Sequence, residues 1–266
     1  MKKLDIRDIK NKTLANLGYK VNNIEIKPKS LYEIIQYGEK QYYMNLNILL
    51  LNKNSILKDF NINKCNKVEK EFIINMSDFD FLALQYIQSE QHNKKFSNMV
   101  KKAISYIFNI EVDKIGFLFS GRIQNINRAS FRIDDSKDNK LINNNNFKNI
   151  QEVLRIQNVM PKEEEANPFD NNANELVQLR EKMRNKVRKS KAKTGLQLQD
   201  IISIVASNND IGLNIINIYN INMFMLQNQL QRIAINENYS MQKYLLGNSF
   251  GGGSIDFKTN TYLKKL

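Results

Sequence analysis

A chain of 266 residues with 42% hydrophobic and 25% charged residues has a globular composition and enough length to bury one large core or two small ones. Three Pro and ten Gly disfavour a turn-rich all-β fold; one Cys excludes an internal disulfide, and one His argues against a His-dependent triad or a multi-His metal site. The formal charge of +13 favours acidic partners, nucleic acid or anionic lipid.

In chain order, Val21, Ile24 and Ile26 fit a short strand before Pro28. Leu31, Ile34, Ile35, Gly38, Tyr42, Leu46 and Leu49 then follow steps of three and four, which predicts one helix from about residue 31 to 51. Ser30 is its N-cap, with Glu33 as the capping-box partner. Phe79, Leu82, Ala83 and Tyr86 mark a helix over 78–87 capped by Ser77, and Phe96, Met99, Val100, Ala103, Ile104, Ile107 and Phe108 mark another over 94–110. Residues 115–119 and 131–133 read as strands of a small hairpin with Gly121 in its loop. Phe147, Ile150, Val153 and Leu154 predict a further helix.

Residues 159–174 carry Pro161, Pro168 and the acidic run Glu163 to Glu165, the strongest boundary signal in the chain. The expected organisation is therefore mainly α with a small β-hairpin element: a helical N-terminal module over 1–158, a linker over 159–174, and a helical C-terminal module over 175–266. The C-terminal module opens with Leu176 to Lys193, where eight cations face one acid, Glu181, for a net +7. Its apolar stripe is thin, so Arg180, Arg184, Lys186, Arg188, Lys189 and Lys191 form a broad cationic face for an acidic partner or phosphate. No aromatic residue lies among these charges to stack on bases, and no helix-turn-helix pattern accompanies them, which ranks nucleic acid below an acidic protein. A short helix follows over Leu198 to Val205, stopping near Asn208. A long one is predicted over 213–235 from Ile216, Tyr219, Met223, Leu226, Leu230 and Ile233. The consecutive residues Met223, Phe224, Met225 and Leu226 turn apolar groups in more than one direction, fitting either a helix buried on several sides or one edge of an exposed groove.

No constellation for acid–base or nucleophilic chemistry emerges, so the expectation is a binding protein with no catalytic residue, metal or cofactor. His92 reads as an exposed loop residue, and Cys65 as an ordinary thiol. Asp78 and Asp80 lie two apart on a helix and do not converge. Asp134, Asp135 and Asp138 read as turn residues, and Gly251-Gly-Gly-Ser254 as a hinge. The charged N-terminal start and the lack of an unbroken run of ~20 apolar residues predict a soluble, cytoplasmic protein with no membrane partner.

Three patches carry a resemblance. Pro28 to Leu50 is similar to the opening of tail assembly chaperones and related tail-morphogenesis proteins of long-tailed bacteriophages: a proline, then Leu31-Tyr-Glu-Ile-Ile35, a Gly38-Glu39 pair and a Tyr. Leu198 to Arg232, with Ile221-Asn-Met-Phe-Met-Leu-Gln-Asn-Gln-Leu-Gln-Arg232, resembles that family's Tyr/Gln-rich helix ending in Arg. Gly251 to Leu263 resembles its Gly-rich segment before a short aromatic helix. The resemblance implies binding to a tape-measure protein, or another phage tail protein, in the bacterial host cytoplasm, without covalent chemistry. Self-association is a second implied contact. The implied contact faces are apolar helix stripes: Leu31, Ile34, Ile35 and Tyr42 on the first helix, and Ile216, Tyr219, Met223, Leu226 and Leu230 on the last. A structural baseplate or hub part, and a basic nucleic-acid-binding protein, are the alternatives.

Overall fold

The computed structural model describes residues 4–53, 75–119, 123–133, 140–161, 196–208 and 212–248. Asp5 starts the first helix, α1 (Ile6–Leu14), by accepting from the backbone N–H groups of Arg7 and Asp8. Asn16 ends it in the left-handed region (φ 56°), which lets Leu17 N–H reach back to Lys12 O at 2.8 Å. Two antiparallel strands follow, β1 (Tyr19–Val21) and β2 (Ile24–Ile26), paired with Val21 opposite Ile24. The apolar pattern expected of one strand thus belongs to a hairpin, turned at Asn22 with φ 53°.

Ser30 and Glu33 form the predicted capping box at the start of α2 (Leu31–Tyr37). The single helix expected over 31–51 is two helices, because Gly38 (φ 98°, ψ 116°) leaves helical space before α3 (Glu39–Leu49). Helix α4 (Asp78–His92) begins at the predicted Ser77 cap, and α5 (Lys95–Phe108) packs against both α3 and α4. Lys94, the residue before α5, offers no side-chain cap; Ser89 Oγ on α4 accepts from Phe96 N–H and Ser97 N–H instead, at 3.0 and 3.1 Å.

A three-stranded antiparallel meander joins β3 (Gly116–Leu118), β4 (Ser130–Arg132) and β5 (Leu141–Asn143). The first two pair as predicted, but a 3₁₀ helix (Ile123–Arg128) stands between them, and β5 joins the expected hairpin as a third strand. Phe131 in the central strand is fully buried against Phe79, Tyr86 and Phe117. The Asn run then starts α6 (Asn144–Gln157): Asn143 caps Asn145 N–H, and Asn146 Oδ1 accepts from Asn143 N–H. Helix α6 touches α1, α4, the first hairpin, β5 and the last helix. Its buried amides serve the neighbours' main chain. Gln157 Nε2 donates to Ile26 O, and Gln151 Nε2 donates to Leu49 O and Leu51 O at the end of α3.

Helix α7 (Leu198–Ser207) packs on α8 (Met223–Asn248). The last helix starts ten residues later than the expected 213. Asn214 Oδ1 accepts from the N–H groups of Ile216 and Asn217, holding a turn, and a 3₁₀ helix (Ile218–Asn220) precedes Asn222, which caps α8 by accepting from Met225 N–H. Early and late segments meet here: Leu31 N–H donates to Ile221 O at 2.8 Å, and Asn222 Nδ2 donates to Thr13 O. One core cluster holds Ile9, Ile26, Leu46, Ile104 and Val153 together with Val205, Leu226 and Ile233. The fold is mainly α with small β elements, with eight α-helices among the described residues.

Candidate functional site: a groove between three helices

The apolar stripes expected to face a partner lie largely inside. Leu31, Ile34, Tyr42, Met223 and Leu226 are buried, each 5% exposed or less, because α2, α3 and α8 spend their apolar faces on the core. Tyr219 and Leu230 are half-buried against it. Ile35 and Ile216 face outwards, Ile216 from the Asn214–Asn217 turn and not from a helix. The cationic face built on Arg180, Arg184, Lys186, Arg188, Lys189 and Lys191 lies outside the described residues. So do Cys65, Gly121, Asp134, Asp135, Asp138 and the Gly-rich segment at 251–254.

The aromatic group under α2 and α3 is structural. Tyr42 O–H donates to Asn158 Oδ1, Tyr37 stacks on Tyr106 at 3.7 Å between ring centroids, and Tyr106 O–H donates to Glu33 O. Lys29 is buried beside them, donating to Asn109 Oδ1 and lying over the Tyr106 ring at 4.9 Å. Burial holds its ammonium below the usual lysine range, against the opposing pull of Glu33. Asp78 and Asp80 have structural partners: Asp78 Oδ1 accepts from the backbone N–H of Lys53 at 2.7 Å, and Asp80 Oδ2 accepts from Ser77 N–H at the start of α4. His92 is exposed, at the last residue of α4 and not in a loop. Among the described residues, no three His, Cys, Asp or Glu side chains are placed to hold a metal ion.

Among the described residues, an open groove of about 830 Å³ is framed by α1, α6 and α8. Helices α1 and α8 contribute side chains at i, i+3, i+4 and i+7, and α6 at i, i+3 and i+4. From α1 come Arg7, Lys10, Asn11 and Leu14, on the side away from buried Ile9 and Thr13. From α6 come Glu152, Arg155 and Ile156, followed beyond its end by Val159, Met160 and Pro161. From α8 come Phe224, Gln227, Asn228 and Gln231, with Arg232 beside them. Leu14, Ile156, Val159, Met160 and Phe224 supply the apolar surface. Arg7, Lys10, Arg155 and Arg232 line it against a single acid, Glu152, whose carboxylate stands 3.9 Å from Arg155.

Val159 gives this wall a special backbone. It holds φ 52° at the end of α6, so that Met160 N–H bonds Arg155 O at 2.9 Å and Val159 N–H bonds Ile156 O at 3.2 Å. A glycine ordinarily takes that position, because a β-branched side chain is crowded there. Val159 remains 42% exposed in the groove.

Apolar periodicity missed these residues because two of the three stripes are mostly polar. Phe224 was the one sequence signal. In the run Met223 to Leu226 it is the member facing the groove, while Met223 and Leu226 enter the core.

Fold and groove together define a mainly helical protein with an open groove between three helices. Residues 188–266, under a third of the chain, match the family model of the YomV second domain, and YomV is a phage-encoded protein. The match takes in α7 and α8, and so one wall of the groove; α1 and α6 lie outside it. No curated protein and no solved structure matches the chain. None of the described helices is long and apolar enough to cross a membrane.

Proposed function

We propose that this is a phage protein that works by holding a helical segment of another phage protein, without catalysis, as a chaperone of tail assembly. The observation that carries the reading is the groove. Three helices turn stripes at three- and four-residue spacing to one open space, the arrangement by which a helix is received by other helices. The match of residues 188–266 to a domain of a phage-encoded protein supports the phage setting.

The partner in this reading is the tape-measure protein, whose long apolar helices aggregate unless covered. Seating one of them between α1, α6 and α8 would hide Leu14, Val159 and Phe224 on this side and the partner's stripe on the other. Co-expression with the tape-measure protein of the same genome tests it. The expected result is a higher soluble yield and co-purification, both lost with Leu14→Asp. An unchanged yield with no co-purification overturns the reading. Fixed-copy presence in purified virions would instead make the protein a structural tail part.

A further inference from the structure

The groove has a chemical polarity that the chaperone reading leaves open. Arg7 lies on the α1 wall, Arg155 on the α6 wall and Arg232 on the α8 wall, with Glu152 as the one carboxylate among the lining residues. We propose that the groove takes an acidic amphipathic helix of a partner protein, apolar stripe inwards and carboxylates outwards onto these arginines. The proposal rests on the reading of the groove as a partner seat and names the chemistry of its occupant.

The helical form of the occupant follows from the spacing of the walls. Ridges at three- and four-residue intervals accept the ridges of another helix, and three such walls stand where a helix bundle would place one more member. The acidic character follows from the rim. A basic helix would bring like charges against three arginines on three walls. An acidic one meets them with guanidinium–carboxylate pairs in a partly dry setting.

A nucleic acid fits less well. Single strands are held by aromatic platforms on which successive bases stack, and Phe224 is the one aromatic ring among the lining residues. The remaining apolar surface is aliphatic or thioether, suited to Leu, Ile and Met side chains.

Two fluorescein-labelled peptides of about 20 residues, roughly five helical turns, provide the test. Both carry the same Leu stripe at i, i+3, i+4 and i+7; one has Glu and the other Lys at the flanking positions. Fluorescence anisotropy with the full chain should show the Glu peptide binding at least tenfold tighter than the Lys peptide, with affinity falling as salt rises. Arg7→Glu and Arg232→Glu alter exposed side chains, so the fold tolerates them. Together they should weaken the Glu peptide at least tenfold and strengthen the Lys peptide.

Equal binding of the two peptides, or no binding of either, overturns the proposal. Tighter binding of a single-stranded oligonucleotide, or of a peptide with this chain's own sequence 162–175, lost in the same double variant, also overturns it in favour of that occupant. Failure here is separable from failure of the chaperone reading. A tape-measure co-purification that depends on Leu14 but ignores the arginine reversals keeps the seat and removes the acidic occupant. Glu-peptide binding without tape-measure co-purification keeps the acidic occupant and removes that partner.

Discussion

The side-chain amide of Asn222 donates to the main-chain oxygen of Thr13 at 2.8 Å, joining residues 209 positions apart. The same amide nitrogen lies 3.2 Å from Asn16 Oδ1, and its oxygen accepts from Met225 N–H at 3.0 Å. One fully buried side chain therefore caps α8 and fixes α8 against the end of α1, which sets the spacing of two groove walls. Asn222→Ala should cost about 2–3 kcal/mol, the sum of a lost cap and a lost buried hydrogen bond. Asn222→Asp keeps the acceptor for Met225 but sets a carboxylate against the Thr13 carbonyl, so it should cost at least as much near neutral pH. Urea unfolding checks both. An alanine variant within about 0.5 kcal/mol of the parent, the range of ordinary surface changes, would show that the tie carries no stability.

Gly38 separates two helices that sequence periodicity joins into one. At φ 98° and ψ 116° it occupies a region that L side chains rarely adopt, and a Cβ built there meets nothing within 4 Å. The cost of Gly38→Ala is therefore conformational and not steric crowding by neighbours. It should destabilise by about 1–3 kcal/mol, read as a lower urea midpoint with an unchanged slope. A neutral result would mean that the α2–α3 junction relaxes into continuous helix without loss.

How much was legible follows from which interactions are local. Ser30 with Glu33, and Ser77 before Phe79, announced their helix starts because a capping box is written within four residues. The stripe over 94–110 was legible because α5 buries one face, with Val100, Ala103, Ile104 and Ile107 inside. The break at Gly38 was not, since Ile34, Tyr42 and Leu46 keep a helical step across it. Residues 213–222 read as helix for the same reason, while Asn214 and Asn222 commit their side chains to backbone groups and hold a turn and a cap there. The groove was hidden because Gln227, Asn228 and Gln231 carry no apolar signal; their shared face becomes visible only once α1 and α6 stand beside it.

Ser89 caps a helix that is not its own. Its hydroxyl oxygen accepts from Phe96 N–H and Ser97 N–H at the start of α5, where Lys94 supplies no side-chain cap. Ser89→Ala should cost about 1–2 kcal/mol by leaving these donors without that acceptor. Hydrogen exchange at the amides of Phe96 and Ser97 should quicken more than exchange at the middle of α5. A uniform change along α5 would make the effect one of global stability and not of the cap.

Alkaline pH should unfold the protein through its buried phenols. Burial, with nearby Glu33 and Tyr37 adding to it, pushes Tyr106 up to about 12; burial likewise raises Tyr42, Tyr43 and Tyr86 above the usual phenol range. A phenol raised in the folded state contributes stability that is fully present below its unfolded pKa of about 10 and is lost as pH climbs towards the folded value. Lys29 and Lys53 run the other way, since burial lowers both and their contribution grows as pH rises towards the unfolded lysine value. Four phenols against two ammonium groups leave a net loss above about pH 10. The melting temperature should be nearly flat across pH 8–9 and fall from about pH 10 upwards. Tyr106→Phe, which also gives up the bond to Glu33 O, should be less stable near neutral pH but lose less between pH 10 and 11. An alkaline decline of the same size in that variant would assign the effect to other groups.

Val159 places stability and binding in opposition. Its φ of 52° closes α6 through the bond from Met160 N–H to Arg155 O, while its side chain stays in the groove beside Ile156 and Met160. A glycine adopts the same backbone without crowding, so Val159→Gly should stabilise the fold by about 1 kcal/mol. It also removes an isopropyl group from the apolar surface on which the partner helix would lie, and the Glu peptide should bind several-fold more weakly, by about 1 kcal/mol for the lost contact. Val159→Ala separates the two effects: it keeps a Cβ in the left-handed region, so it should recover less stability than glycine while losing most of the same binding. The urea midpoint and peptide anisotropy, measured on all three proteins, give the answer. If glycine raised both stability and affinity, the Val159 side chain would make no favourable contact with the partner helix.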